Sequence, residues 1–150
     1  MKKLLLIILS CILLTTAFTP YASADSLKKD IFEIIPCENG AWIEKRITIQ
    51  PTRGNTVTAS SDYKYYDGDI KWSATLTGSF TYDGVTSTCT SSNLSFSISD
   101  SAWYVVSQSA YRSGNTAYGD YTMGARILGI TYKTTSFNMS ISCDKDGNVS

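Results

Sequence analysis

The sequence predicts an all-β fold, an antiparallel β-sandwich of about seven or eight short strands, from three observations. The first is alternation: Trp72, Ala74, Leu76, Gly78, Phe80 and Tyr82 take every second position, with Lys71, Ser73, Thr75, Thr77, Ser79 and Thr81 between them. A period of two places one set on a buried face and the other in water. The second is punctuation, because turn signals recur every roughly eight to twelve residues, the spacing of a sandwich or closed barrel. The third is the lack of proline after Pro51, which suits continuous paired strands.

In chain order, Met1-Lys2-Lys3 leads into an apolar run over 4–14 and then into Ala22-Ser23-Ala24. A basic start, a short apolar core and an A-x-A site predict a cleaved secretory signal peptide, 1–24, and a secreted product beginning at Asp25. The stretch Ile8-Leu9-Ser10-Cys11 loosely fits a lipid-attachment signal, but Cys11 lies inside the apolar core, so secretion without a lipid anchor is the expectation. No later segment approaches the roughly 20 apolar residues of a spanning helix, so no transmembrane segment is expected in the mature chain. Residues 25–40 read as a leader or a short helix, since Leu27, Ile31, Ile34 and Ile35 have helical spacing and Pro36 would stop a helix; a docked extended arm is the alternative.

The sandwich is expected over 41–150. Residues 41–50 alternate Ile43, Lys45, Ile47 and Ile49 with Trp42, Glu44, Arg46 and Thr48, and Pro51 and Thr52-Arg53-Gly54-Asn55 end that strand. A short strand over 56–60 precedes an aromatic, acidic stretch over 62–69, expected to be a loop. The alternating strand beginning at Asp69 ends at Asp83-Gly84, which predicts a type I′ hairpin turn returning through Cys89. After Thr90-Ser91-Ser92-Asn93 the alternation resumes at Leu94, Phe96 and Ile98. A strand from Trp103 turns at Ser113-Gly114-Asn115 and returns over 116–123. Gly124 breaks the pattern, 127–133 resumes it, 136–143 is the last strand, and Asp144-Lys145-Asp146-Gly147-Asn148 is a polar tail.

Three cysteines follow the signal segment, and export makes a bridge the default. Cys89 and Cys143 are the favoured pair, both lying in Ser/Thr-rich strand patterns. Their bridge would close a loop of about 53 residues, worth roughly 4 kcal/mol. Cys37 is left over. The run Gly78-Ser79-Phe80-Thr81-Tyr82-Asp83-Gly84 followed by Cys89, together with Cys143-Asp144-Lys145-Asp146-Gly147-Asn148, resembles small exported proteins of Gram-positive, clostridia-like bacteria from uncharacterised families. The likeness spans about residues 70–150. It implies export and an all-β fold and carries over no functional residues.

Composition removes several function classes. Without Lys2 and Lys3 the chain has 11 basic and 13 acidic residues, a balance that gives no electrostatic reason to expect nucleic acid or an anionic membrane as a partner. Histidine is absent, so Ser-His-Asp and Cys-His catalysis and imidazole zinc sites are excluded. No phosphate-loop, dinucleotide or nucleophile-elbow motif is present. The residues left as a ligand-binding candidate are Tyr63, Tyr65, Tyr66, Asp67 and Asp69, aromatic faces beside carboxylates. No cofactor is expected beyond a weak Ca²⁺ site, from these carboxylates or from Asp144-Lys145-Asp146-Gly147-Asn148, which resembles the opening of an EF-hand loop. The leading expectation is a non-catalytic binding module for an unknown protein or glycan. A carbohydrate-binding module or small carboxylate-type glycan hydrolase is the alternative, with Asp62, Asp67 and Asp69 as the acids. A membrane-active β toxin is a third reading, since 93–99 and 136–142 alternate like lipid-facing hairpins.

Overall fold

The computed structural model describes residues 30–150. The predicted signal peptide and the start of the leader lie outside the described residues. The fold is all-β: eight antiparallel strands form a five-stranded sheet ordered β1-β2-β3-β4-β5 and a three-stranded sheet ordered β6-β7-β8. The strands are β1 Asp30–Pro36, β2 Trp42–Pro51, β3 Thr56–Asp67, β4 Asp69–Tyr82, β5 Ser87–Ile98, β6 Trp103–Ser113, β7 Thr116–Ile127 and β8 Ile130–Ser142. Every strand pairs with its neighbour in sequence except across the β5–β6 junction, where the chain changes sheets.

Alternation builds the core as expected. Val57, Ala59, Ser61, Tyr63 and Tyr65 of β3 and Trp72, Ala74, Leu76 and Phe80 of β4 point inward against Ala117, Tyr121 and Met123 of β7 and Met139 and Ile141 of β8. Trp72 is fully buried at the centre of an aromatic cluster, 5.3 Å from Tyr65 in parallel stacking and 5.1 Å from Phe137 edge-on.

Several expectations need correction. Residues 30–36 are strand rather than helix. Ile31, Glu33 and Ile35 oppose Ile47, Lys45 and Ile43 of β2, so the spacing that suited a helix also satisfies period two, and pairing decides. The sheet therefore begins before residue 41. The expected loop over 62–69 is mostly strand, because β3 continues to Asp67 and turns only at Gly68. Asp83-Gly84 does not form a two-residue turn. Only Gly84 has positive φ, and a four-residue loop closes when the Asp83 carboxylate accepts from the backbone N–H groups of Val85 and Thr86. The polar tail is folded: Val149 is buried and bridges Cys143.

The Cys89–Cys143 bridge is absent, and Cys37, Cys89 and Cys143 are free thiols. Each buried thiol donates instead to a carbonyl on its own segment, Cys89 to Ser91 at 3.2 Å and Cys143 to Asp144 at 3.4 Å. Their main chains are tied to the β6–β7 turn, since Cys89 N–H donates to Gly114 O and Cys143 N–H to Asn115 O.

Antiparallel order collects the connections at two ends. The segment 37–41, the Asp67-Gly68-Asp69 turn, the 99–102 loop and the Leu128-Gly129 turn share what we term the upper end. The turns at 52–55, 83–86 and 113–115 and the C-terminal residues share the lower end. Backbone bonds tie each set together, Ser99 N–H to Lys71 O above and Gly84 N–H to Lys145 O below.

Candidate functional site

Strand alternation disperses the predicted ligand-binding residues. Tyr63 and Tyr65 are buried between the sheets, and burial pushes both phenols above their ordinary pKa. Tyr66 faces the opposite way, stacked on Trp42 at 4.0 Å on the outer surface. Asp67 and Asp69 flank Gly68 and are exposed. The five therefore form no single face. Trp72 and Trp103 are core, whereas Trp42 is only half-buried on the outer face.

The Asp144 carboxylate is occupied by its own loop. It accepts from the backbone N–H groups of Asp146 and Asn148 and from Asn148 Nδ2, all within 2.9 Å, and these bonds, led by Asn148, hold it below the usual carboxylate range. Position 149, where an EF-hand loop needs glycine, is the buried Val149.

The upper end brings other residues together. Between the two sheets lies a mouth of about 370 Å³, with Tyr65, Trp103 and Phe137 as its aromatic lining and Cys37, Glu38 and Lys133 as polar groups. Burial raises the Cys37 thiol, with Lys133 opposing and Glu38 adding to the shift, so at neutral pH it is protonated. Beside this mouth an apolar ledge of about 390 Å³ is formed by Ile34, Pro36, Ala41 and Trp42.

On the other flank the β7–β8 hairpin carries Ile127, Leu128, Ile130 and Tyr132, all exposed. Leu128 is 97% exposed. Among the described residues, seven of the eleven exposed large hydrophobic residues, Ile34, Ile70, Ile98 and these four, belong to strand ends or turns at the upper end. Of this set only Val85 and Tyr111 lie at the lower end, so among the described residues the exposed large hydrophobics concentrate at the upper end.

A second surface lies on the outer face of the three-stranded sheet. Tyr111 stacks on Tyr118 at 5.0 Å, and Asn138 Nδ2 donates to Asp120 Oδ1 at 2.7 Å beside a shallow depression of about 280 Å³. Ser107, Ser109, Thr122 and Ser136 supply hydroxyls there.

No family model matches this chain, and no curated protein or solved structure matched it either.

Sequence reasoning missed the upper end because its apolar residues belong to no motif. The available signal was Arg126-Ile127-Leu128-Gly129-Ile130, apolar residues around a glycine, which reads equally well as a strand.

Proposed function

We propose that this protein is a non-catalytic binding module whose contact surface is the upper end. The observation that carries this reading is the collection of exposed apolar side chains around the aromatic mouth at one end of an otherwise hydroxyl-rich sandwich. Pockets that take small amphiphiles combine an apolar lining with a few polar groups, the composition of this mouth. The protonated Cys37 thiol offers no activated nucleophile beside them.

The test is binding of 8-anilinonaphthalene-1-sulfonate to the folded protein. Saturable binding that is weakened by Ile127→Ser with Ile130→Ser supports the reading, and a folded protein that leaves the dye dark overturns it. The outer face of the three-stranded sheet favours a second reading, glycan binding. There the Asp120–Asn138 pair can engage vicinal hydroxyls and the exposed Tyr111 ring can stack on a sugar. A glycan array run with Tyr111→Ala and Asp120→Ala as controls checks it.

A further inference from the structure

The β7–β8 hairpin departs from the rules its neighbours follow. Its strands close through Ile127 paired with Ile130, leaving Leu128 and Gly129 as the two centres of the turn, both at positive φ (51° and 82°). That is the geometry of a type I′ turn, which favours Asn, Asp or Gly at the first centre. A leucine there is strained by its Cβ and gains no packing, since it is almost wholly in solvent. Neither local conformation nor the core accounts for Leu128.

The hairpin also extends past its sheet. Ala125 opposes Trp103, the first residue of β6, and Arg126 N–H still donates to Ala102 O at 2.9 Å, so the chain from 127 to 130 projects past that support by one strand residue and the turn, on the order of 5 Å at about 3.3 Å per residue. Its base is braced. The Tyr104 hydroxyl lies 2.6 Å from Thr131 Oγ1, and the Arg126 guanidinium sits 5.4 Å over the Tyr104 ring. Gly124 lets that ring lie on β7, because a Cβ at 124 would come within 2.7 Å of it.

The hairpin's own charges have one sign, although Glu38 of the neighbouring segment lines the same mouth as Lys133. Between Asp120 and Asp144 there is no acidic residue, and Arg126 and Lys133 are the only charges. The carboxylates of the upper end belong to the other connections: Asp67 and Asp69 to the β3–β4 turn, Glu38 to the segment after β1, and Asp100, 3.3 Å from Lys71, to the β5–β6 loop.

We propose that this hairpin tip inserts into the interfacial region of a lipid bilayer, with Ile127, Leu128 and Ile130 reaching the acyl boundary and Tyr104, Tyr132, Arg126 and Lys133 at headgroup level. The inference rests on the upper end being the contact surface and names what contacts it. Three features favour a bilayer over a protein partner. The tip is convex and narrow, a shape that a fluid interface accommodates without a matching socket. The Ile127–Ile130 pairing ties the strands together up to the turn, which limits the free polar backbone carried toward apolar surroundings. The order of side chains along the projection, aliphatic at the tip, then tyrosine and cationic groups, follows the composition of membrane interfaces, and its length reaches the shallow end of the roughly 5–10 Å depth of interfacial insertion.

The test is sedimentation of the full chain with vesicles of about three parts phosphatidylcholine to one part phosphatidylglycerol. The apolar run over 4–14 is common to wild type and variants, so differences between them report the hairpin. Leu128→Asp is expected to lower the partition coefficient at least roughly tenfold. Leu128→Asn, which suits the turn, is expected to weaken partitioning while leaving the circular dichroism spectrum unchanged. In a Leu128→Trp variant, the added emission is expected to be quenched by lipids brominated on the acyl chain. Unchanged partitioning of Leu128→Asp and Leu128→Asn, or a tryptophan at 128 that bromolipids do not quench, overturns the proposal. So does a protein that ignores vesicles but dimerises through Leu128 in sedimentation velocity, which would make a second copy the occupant. Dye binding by the same preparations reports separately on whether the upper end binds anything apolar.

Discussion

Leu128 and Gly78 are two residues whose surroundings make opposite demands. Leu128 occupies a left-handed conformation with its side chain in water, so Leu128→Asn removes strain and loses no packing. It is expected to stabilise the fold by about 1 kcal/mol, seen as a thermal midpoint raised by a few degrees. Gly78 sits in β4 where an added Cβ would come within 2.7 Å of the Phe80 ring and 2.9 Å of the Ala117 Cβ. Phe80 is fully buried and has little room to yield, so Gly78→Ala is expected to cost about 1–3 kcal/mol in a denaturant titration. The inward positions around Gly78 were legible because Trp72, Leu76 and Phe80 alternate with hydroxyl residues. Tyr63, Tyr65 and Tyr66 were misread as one surface. A tyrosine carries the same letter whether its ring fills a core or faces solvent, and only the phase of the strand separates the two.

Phase also decides how the strands are joined. On β5 the buried Cys89 is at an odd position, while the inward Leu94 and Phe96 are at even ones, and a single strand cannot hold both on one face without an extra residue. Thr90 is that residue. The register passes from Ser79 opposite Ser91 to Phe80 opposite Cys89, forming a β-bulge. The change of parity is present in the sequence, where it was read as an interruption. The bulge leaves carbonyls that a second element satisfies, since Arg112 Nη1 donates to Cys89 O at 3.1 Å and to Thr90 O at 2.7 Å. Arg112 thus pins the β6–β7 end to the five-stranded sheet. Arg112→Met should cost about 1 kcal/mol, the low end for charged hydrogen bonds given its exposure, and should speed amide exchange at Gly114 more than in the core of β4. The β7–β8 turn was missed for a related reason, because Leu-Gly is not a recognised turn pair and only pairing shows where the chain reverses.

The whole molecule has a stability window with identifiable edges. Asp83, Asp100 and Asp144 are held below the usual carboxylate range by hydrogen bonds, chiefly from backbone N–H groups at Asp83 and Asp100 and from Asn148 at Asp144. Their contribution is present above the unfolded carboxylate value of about 3.9 and is lost as pH falls through the lower folded values, so denaturant midpoints should decline below about pH 4. At the alkaline edge the sign reverses. Burial raises Cys89, Cys143, Tyr63, Tyr65 and Tyr121, so what they contribute is intact below their unfolded values, about 8.5 for thiols and 10 for phenols, and is lost as pH climbs toward the folded ones. The buried phenols are expected to ionise together with unfolding, visible as a cooperative step in phenolate absorbance, and smooth titration of every tyrosine in a folded protein would contradict the core described here. The fold class was readable because a period of two survives any ambiguity about individual turns. The gathering of exposed apolar residues at the upper end was not, because it depends on where eight strands stop.

The strand Asp30–Pro36 is hydrogen-bonded to β2 alone and lies at the margin of its sheet. Tension applied through the residues that precede it would load its rungs one after another, like opening a zip, instead of shearing them all at once. Pulled from that side, the protein would shed β1 at low force and keep its remaining strands paired.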